Sequence, residues 1–249
     1  MTASWRIIGL EEHNAYENMA IDEAILNGIS NGGSWPTIRF YRWKPSAVSI
    51  GRFQSMTDDV NVKKCDELGI DYVRRITGGG AVYHDYYGEL TYSVLAKEED
   101  FPAGIPESYA LICSWIISGL SGIGISAQFA PINDITVSGK KISGNAQTRK
   151  NGVLLQHGTI LYGLDIPRMF SVLNVSKEKI SDKMIKGAEE RVTCIKAQKS
   201  VGFDQLYAAM LAGFTNGKRF ATGTLSASEH LDAERLKADY ASHAWNFSR

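Results

Sequence analysis

The segment RRITGGGAVYHD, Arg74 to Asp85, sets three consecutive glycines between two arginines and a His-Asp pair. Each glycine loses more backbone freedom on folding than any other residue, so three in a row need a reason beyond an ordinary turn. Adjacent backbone N–H groups in a glycine-rich segment can form a concave anion site, and the absent Cβ atoms let a phosphate approach closely. A plain hairpin loop is the structural alternative.

The residues around the glycines favour the anion site. An arginine can add a charge-assisted hydrogen bond to the same anion. Because successive residues of a strand point to opposite faces, only one of Arg74 and Arg75 can reach it. The segment is not a P-loop, since no Gly-Lys-Ser/Thr follows, and no helix opens here as a dinucleotide fingerprint requires.

Strands and then helices are predicted outward from this segment. Asn14 and Glu17 form a capping-box pattern at the start of a helix, and Asn151-Gly152 is a strong hairpin signal. After Asp165 the chain is predicted to be mostly helical. Because strands cluster before helices and are joined by antiparallel turns, the fold class is α+β. Strands are predicted over 37–43, 46–53, 70–77, 89–97, 134–147 and 151–164, and helices over 14–26, 58–69 and 106–120.

Composition excludes several classes of protein. Lys+Arg and Asp+Glu balance at 27 each, so no global field attracts nucleic acid or anionic lipid. The three cysteines, Cys65, Cys113 and Cys194, are far apart and fit a reducing cytosol. The N-terminus lacks the pattern of a signal peptide, and no apolar run is long enough to span a membrane. No repeat or linker divides the chain, which indicates a single domain.

A second polar cluster lies in SGKKISGNAQ, residues 138–147, close in sequence to Asn133-Asp134. Lysines in such a hairpin are usually solvated, but small neighbours leave room for a ligand. A lysine ammonium there can bridge a carboxylate and a phosphate. His84 and His157 complete the polar set, although a single histidine in a strand is more often structural than catalytic. No Ser-His-Asp arrangement is evident from the linear order.

Together these segments resemble the lipoate–protein ligases of the biotin/lipoate A/B protein ligase superfamily, over nearly the whole chain. The twelve-residue signature is highly specific, whereas the shorter matches would be weak alone. The matching motifs are Arg74 to Asp85, Gly51-Arg52-Phe53-Gln54, Asn133-Asp134, Lys141 to Ala146, His157 to Leu161, Arg191-Val192-Thr193 and Trp245-Asn246-Phe247.

The resemblance implies a mixed, largely antiparallel β-sheet flanked by helices, like the catalytic domains of biotin ligases and class II tRNA synthetases. It implies an ATP-dependent, AMP-forming ligase with ATP, lipoate and Mg²⁺ as cofactors. Lipoate would attack the α-phosphorus of ATP to give lipoyl-AMP, and a lysine of a lipoyl domain would then take the lipoyl group. Fixed positive groups would lower the barrier to bringing two anions together.

The resemblance also assigns site residues. Lys141 is the expected catalytic lysine, because it directly precedes Ile-Ser-Gly, and Lys140 lies one residue outside that register. Arg74 is expected to hold phosphate, and Asp134 to contact Mg²⁺. The expected ATP and lipoyl-AMP site consists of Arg74, Gly78, Gly79, Gly80, Ala81, Val82, His84, Asn133, Asp134, Lys141, Ser143, Gly144 and His157.

The implied partners are lipoyl domains of 2-oxoacid dehydrogenase complexes or the glycine cleavage H protein, with no nucleic acid or membrane, and the expected location is the cytoplasm. Residues 1–249 are expected to form a single catalytic domain. Ligases of this type continue past Trp-Asn-Phe into an accessory domain, whereas this chain stops at Arg249. Either the accessory domain has been removed from this chain or it is a separate subunit, and activity is expected to need that subunit.

Two alternatives compete with the ligase. A sister group transfers octanoyl from acyl carrier protein through a cysteine thioester, without ATP. Its signature often has arginine at the third glycine, so Gly80 favours the ligase, and Cys194 is the candidate nucleophile. The other alternative is a non-catalytic lipoate-binding module, which an intact Lys141 and signature disfavour.

Overall fold

The computed structural model describes residues 4–174 and 182–249. This part of the chain forms a large sheet of eight strands, a small sheet of three strands and ten α-helices. The strands are β1 (Trp5–His13), β2 (Thr37–Trp43), β3 (Ala47–Ile50), β4 (Asp71–Arg74), β5 (Val82–His84), β6 (Glu89–Lys97), β7 (Gln128–Ala130), β8 (Asp134–Val137), β9 (Lys140–Lys150), β10 (Val153–Leu161) and β11 (Phe220–Thr222). The helices are α1 (Ala15–Ser30), α2 (Met56–Asp59), α3 (Val62–Leu68), α4 (Ile105–Gly122), α5 (Ile166–Val172), α6 (Asp182–Arg191), α7 (Ile195–Gln198), α8 (Phe203–Thr215), α9 (Ala227–Ala241) and α10 (His243–Asn246).

The large sheet is mixed and mainly antiparallel. Its strand order is β11-β1-β2-β6-β10-β9-β8-β7, and only the pairs β11–β1 and β1–β2 are parallel. The antiparallel part from β2 to β7 includes the predicted hairpins. This topology confirms the predicted α+β class.

Helices cover both faces of the large sheet. Alternate residues of β2 enter two different cores: Phe40 packs with α4 and α8, and Tyr41 packs with α1 and α9. Leu154 and Leu155 divide in the same way on β10. Because both faces are buried, apolar side chains occupy consecutive positions of these strands instead of every second position. Each fully buried large side chain contributes about 1.5–3 kcal/mol.

Local sequence signals form the structures they predict. The Asn14 side chain accepts from the Glu17 backbone N–H at 2.9 Å, and Glu17 accepts from the Asn14 N–H at 3.3 Å, so the capping box is confirmed. Asn151 and Gly152 both have positive φ in the turn between β9 and β10. The described residues after Asp165 are mostly helical, as predicted, and β11 is the exception. Residues 175–181 lie outside the described residues.

The small sheet excludes the hairpin alternative for the glycine segment. Its order is β4-β3-β5, so the strands on either side of residues 75–81 are not partners, and the segment crosses the end of β3. The Arg52 N–H bonds Thr77 O at 2.8 Å, and the Arg75 N–H bonds Ile50 O at 3.0 Å. A Cβ on Gly51 would lie 2.1 Å from Gly79 O. Residue 51 must therefore be a glycine for the glycine segment to pack on the end of β3.

None of the helices among the described residues has the length and apolar content needed to cross a bilayer.

Candidate active site

A cavity of about 340 Å³ lies where the small sheet meets β6, β9 and β10 of the large sheet. Its size is within the usual range for small-ligand sites. Apolar side chains and glycines make up most of its wall, and the polar lining includes Arg75, His84, Lys141 and His157. The apolar lining includes Met19, Tyr41, Trp43, Leu161, Leu164, Ile166, Met169 and Leu173.

The glycine segment forms part of the wall, as the sequence predicts. Gly79, Gly80, Ala81 and Val82 line the cavity, and Gly78 does not. Gly79 has φ +98°, a conformation that residues with a Cβ rarely adopt. A Cβ there would also lie 2.8 Å from Arg75 Nη2. The backbone can therefore approach a ligand closely at this position.

Arg74 does not line the cavity, although it was the expected phosphate ligand. It is fully buried, and its guanidinium donates to the carbonyl oxygens of Arg52, Gln54, Trp245 and Asn246. In return, Trp245 Nε1 donates to Arg74 O at 2.8 Å. Arg74 therefore joins α10 to the loop after β3, and its geometry is that of a structural residue.

Arg75 occupies the cavity position instead. It is 5% exposed, and it donates five hydrogen bonds of 2.8–3.1 Å to the oxygens of Ser49, Thr77, Gly78 and Gly80. Among the described residues it has no ion-pair partner within 4.0 Å. Burial lowers the pKa of Arg75 to about 10, so the guanidinium is still charged at neutral pH. The glycine segment is thus folded around an unneutralised cation.

Lys141 also lies in the wall, and Lys140 does not. Lys141 Nζ is 2.7 Å from Asp134 Oδ1, while Lys140 Nζ donates to Glu189 O on α6 at 3.0 Å. The Lys141 side chain lies across Gly144, where a Cβ would come within 2.7 Å of Nζ. This explains the spacing Lys-Ile-Ser-Gly, because only glycine leaves the lysine its path to the cavity.

Of the other predicted residues between 133 and 144, some line the cavity and others do not. Asn133 and Gly144 line the cavity, whereas Asp134 and the buried Ser143 do not. Asn133 Nδ2 donates to Asn145 O, and Asn145 Nδ2 returns a bond to Asn133 O at 2.8 Å. Asp134 is held by Lys141, and the described residues contain no cluster of three or more metal-ligating side chains.

His84 lies in the wall at the centre of a hydrogen-bonded chain. Its Nε2 is 2.8 Å from Ser49 Oγ, and its Nδ1 is 2.7 Å from Glu89 Oε1. The Trp43 ring stacks on the imidazole with centroids 4.1 Å apart. The glycine motif includes His84 but not its partners, because they come from β2, β3 and β6 and no short motif connects them.

His157 lies in the wall on β10. Its Nε2 is 2.7 Å from Thr77 Oγ1, and its Nδ1 is 3.5 Å from Asp22 Oδ2. Burial lowers the pKa of His157, and this effect exceeds the opposing influence of Asp22. The imidazole is therefore neutral at physiological pH, and it connects α1 to the glycine segment.

None of the three cysteines lines the cavity. Cys65 and Cys113 are buried in separate cores, and burial raises the pKa of each thiol to about 12. Cys194 is buried immediately before α7. The reactive form of cysteine is the thiolate, so Cys65 and Cys113 have the environment of packing residues.

The family model of the lipoyl protein ligase A/B catalytic domain matches residues 14–215, and the chain belongs to that family. The chain is 34% identical over 275 residues to the octanoyltransferase LipM of Brevibacillus brevis, covering 98% of this chain and 99% of the relative. It is 33% identical over 278 residues to LipM of Staphylococcus aureus, covering all of both.

A solved structure shares the whole fold. It is from a bi-partite lipoate protein ligase of Thermoplasma acidophilum, described with its E2 lipoyl domain. The TM-score is 0.89 at 30% identity, over 99% of this chain and 96% of that chain.

These findings confirm the family and correct the expected activity. The prediction of an ATP-dependent, AMP-forming lipoate ligase with ATP, lipoate and Mg²⁺ is wrong, because the full-length curated relatives are octanoyltransferases. In the twelve-residue signature, the glycine segment crosses the end of β3 and surrounds the buried Arg75. This backbone arrangement does not itself specify how an acyl group is activated. Gly80 was therefore an insufficient reason to prefer the ligase.

Proposed function

We propose that this protein transfers an octanoyl group from acyl carrier protein to a lysine of a lipoyl domain. The observation that carries the proposal is the full-length similarity to octanoyltransferases. The cavity supports it, because an apolar wall suits a medium-length acyl chain. Burying the methylenes of an octanoyl tail at ~0.8 kcal/mol each would contribute about 5 kcal/mol.

The polar groups of the cavity wall suit acyl transfer. Attack on an acyl carbonyl places negative charge on its oxygen, and fixed cations in a partly dehydrated site stabilise that charge. Lys141 and Arg75 supply such cations. We propose Lys141 as a catalytic residue, held by Asp134 in the space that Gly144 leaves open. The glycine segment, Asn133, His84 and His157 are proposed to bind and orient the acyl group.

The proposed acceptors are lipoyl domains of 2-oxoacid dehydrogenase complexes or the glycine cleavage H protein, and the proposed location is the cytoplasm. Residues 1–249 are proposed to form one catalytic domain. A separate accessory subunit is proposed by analogy with the bi-partite protein of T. acidophilum. Adding such a subunit should raise the transfer rate, and an unchanged rate would remove it from the proposal.

The test is incubation of the purified protein with octanoyl-acyl carrier protein and an apo lipoyl domain, without ATP. Mass spectrometry of the lipoyl domain should show one octanoyl group on one lysine. If octanoyl remains bound to the protein and none is transferred, the chain is a binding module. If octanoyl is neither bound nor transferred, the proposal fails.

Lys141→Ala should lower the transfer rate by about 10²–10³, the usual cost of losing one donor to a developing oxyanion. Lys140→Ala is the matched control, because its ammonium bonds α6 outside the cavity. Equal rates for the two variants would contradict the assignment of Lys141.

A further inference from the structure

A second groove lies beside the cavity. It has a volume of about 290 Å³ and is lined by residues 44–46, 68–70, 86–87 and Arg168. The turn between β5 and β6 separates the two sites, because Asp85 and Gly88 line the cavity while Tyr86 and Tyr87 line the second groove. The two sites are therefore neighbours.

The start of α5 also lies between the two sites. Leu164 and Asp165 line the cavity and are exposed, so they mark its mouth. Arg168 is three residues further along the chain and lines the second groove. A donor whose acyl group enters the cavity at this mouth therefore leaves its remaining atoms on the surface close to the second groove.

Tyr83 belongs to a wall that the two sites share. It lines the cavity, while its hydroxyl lies beside Ser46 and Arg168 of the second groove. Burial raises the pKa of Tyr83, so this hydroxyl keeps its proton at neutral pH. The hydroxyl is buried and has no hydrogen-bond partner among the described residues. The shared wall thus contains a hydrogen-bond donor that the fold itself does not use.

Two cations of the second groove also have unused donors. A hydrogen bond to Glu12 raises the pKa of Lys44, so its ammonium is charged, and two of its three N–H groups remain available. Arg168 Nε is 3.6 Å from Asp165 Oδ2, and the two Nη groups of Arg168 make no hydrogen bond among the described residues. Within the described part of the chain, no acidic side chain lines the second groove.

The chemistry of these donors fits a phosphate group. Guanidinium and ammonium groups form charge-assisted hydrogen bonds to phosphate oxygens, and a guanidinium can donate two in parallel. Ser46 Oγ accepts from the Tyr86 N–H at 3.0 Å, so the Ser46 hydroxyl proton can be donated to the same anion. Pro45, Ile70 and the 39% exposed Leu68 give the second groove an apolar side. A ligand with both a phosphate and an apolar stretch matches this lining.

We propose that the second groove binds the phosphopantetheine arm of the acyl donor, with Lys44 and Arg168 on its phosphate, which rests on the proposed octanoyl transfer. In acyl carrier protein, the acyl thioester is at one end of this arm and a phosphodiester is at the other. The octanoyl chain enters the cavity past Leu164, and the arm lies along the second groove with its methyl groups against Leu68. The donor is thus recognised by its arm as well as by its acyl chain.

The test compares two donors that differ only in the phosphate, octanoyl-phosphopantetheine and octanoyl-pantetheine, with an apo lipoyl domain as acceptor. For wild type, kcat/KM should be at least about tenfold higher with the phosphorylated donor, because hydrogen bonds to charged groups are strong. Arg168→Gln and Lys44→Gln should each lower this ratio by at least about threefold. A general loss of structure would instead affect both donors alike.

Arg235→Gln is the matched control. Arg235 is an exposed arginine that pairs with Asp232 three residues earlier, as Arg168 pairs with Asp165, and it lines neither site. This variant should keep the wild-type ratio.

A wild-type ratio near one, or an unchanged ratio in Arg168→Gln, overturns the assignment of the second groove. The proposed function then stands, because both donors still acylate the lipoyl domain. If neither these donors nor octanoyl-acyl carrier protein acylate it, the proposed function fails, and calorimetry tests the second groove separately. Tighter binding of phosphopantetheine than of pantetheine by wild type, lost in Arg168→Gln, supports the assignment, and equal affinities overturn it.

Discussion

Gly51→Ala tests whether the packing of the glycine segment on β3 positions the active site. In the structure, a Cβ on Gly51 would lie 2.1 Å from Gly79 O and 3.0 Å from Gly79 C. Ordinary contacts begin at 3.4 Å, so the Gly79 carbonyl must move by about 1.3 Å. Both neighbouring atoms belong to backbone, and no rotamer change can relieve the contact. The displacement therefore passes directly into the cavity wall.

The expected loss is larger in activity than in stability. Overpacking at a tight site costs about 1–3 kcal/mol, and for a chain of this size each kcal/mol lowers the melting temperature by about 2–4 °C. Misplacing active-site groups by about 1 Å can cost a hundredfold in rate. We therefore expect the kcat/KM of octanoyl transfer to fall about a hundredfold in a protein that still folds.

The assay compares kcat/KM and thermal unfolding for wild type, Gly51→Ala and Gly122→Ala. Gly122 ends α4 and has open space where a Cβ would lie, so it is a matched control for adding one methyl group. Gly122→Ala should change neither quantity appreciably. If Gly51→Ala retains wild-type kcat/KM, the contact with Gly79 does not position the site, and the reasoning is refuted.

Two further predictions concern stability and the cysteines. Glu229 is buried, and although burial raises its pKa, hydrogen bonds from Arg6, the Ser226 N–H and Ser34 lower it to about 2. Its contribution is therefore complete above about pH 4.5 and is lost as the pH falls towards 2. Glu229→Gln should lower the free energy of unfolding by about 2–3 kcal/mol at pH 7. This loss should shrink at pH 3 in urea titrations, and a constant difference would contradict the assignment. Replacing Cys65, Cys113 and Cys194 together by serine should leave octanoyl transfer within a few-fold of wild type once lower stability is allowed for. A loss of about a hundredfold in a folded variant would implicate a cysteine nucleophile.

Local signals in the sequence were sufficient for much of the fold. The strand predicted over 89–97 coincides with β6, and Asn14 with Glu17 caps α1 as expected. Gly69 ends α3 with a positive φ, and Asn151-Gly152 turns the hairpin. Each of these features depends on a few adjacent residues. β1 was not predicted, because the parallel pairing that builds it comes from residues 37–43 and 220–222.

The family also followed from the sequence, since its signature is continuous along the chain. The activity did not follow. Glycines 78–80 specify a backbone path around a buried guanidinium, and that path is a property of the fold and not of one acyl donor. A motif that encodes architecture is compatible with more than one chemistry, so the preference for ATP had no physical support in these residues.

By itself, the sequence determined that only one of Arg74 and Arg75 could face a ligand, because side chains of a strand alternate between its faces. Only the tertiary structure decided that this residue is Arg75, because the packing of the small sheet on β6 and β10 determines which face lines the cavity. The same packing brings Ser49, His84 and Glu89 together from three strands. The pattern of one strand contains no information on which other strand will face it. The residue types at the site were therefore present in the sequence, and their assembly was established by long-range packing.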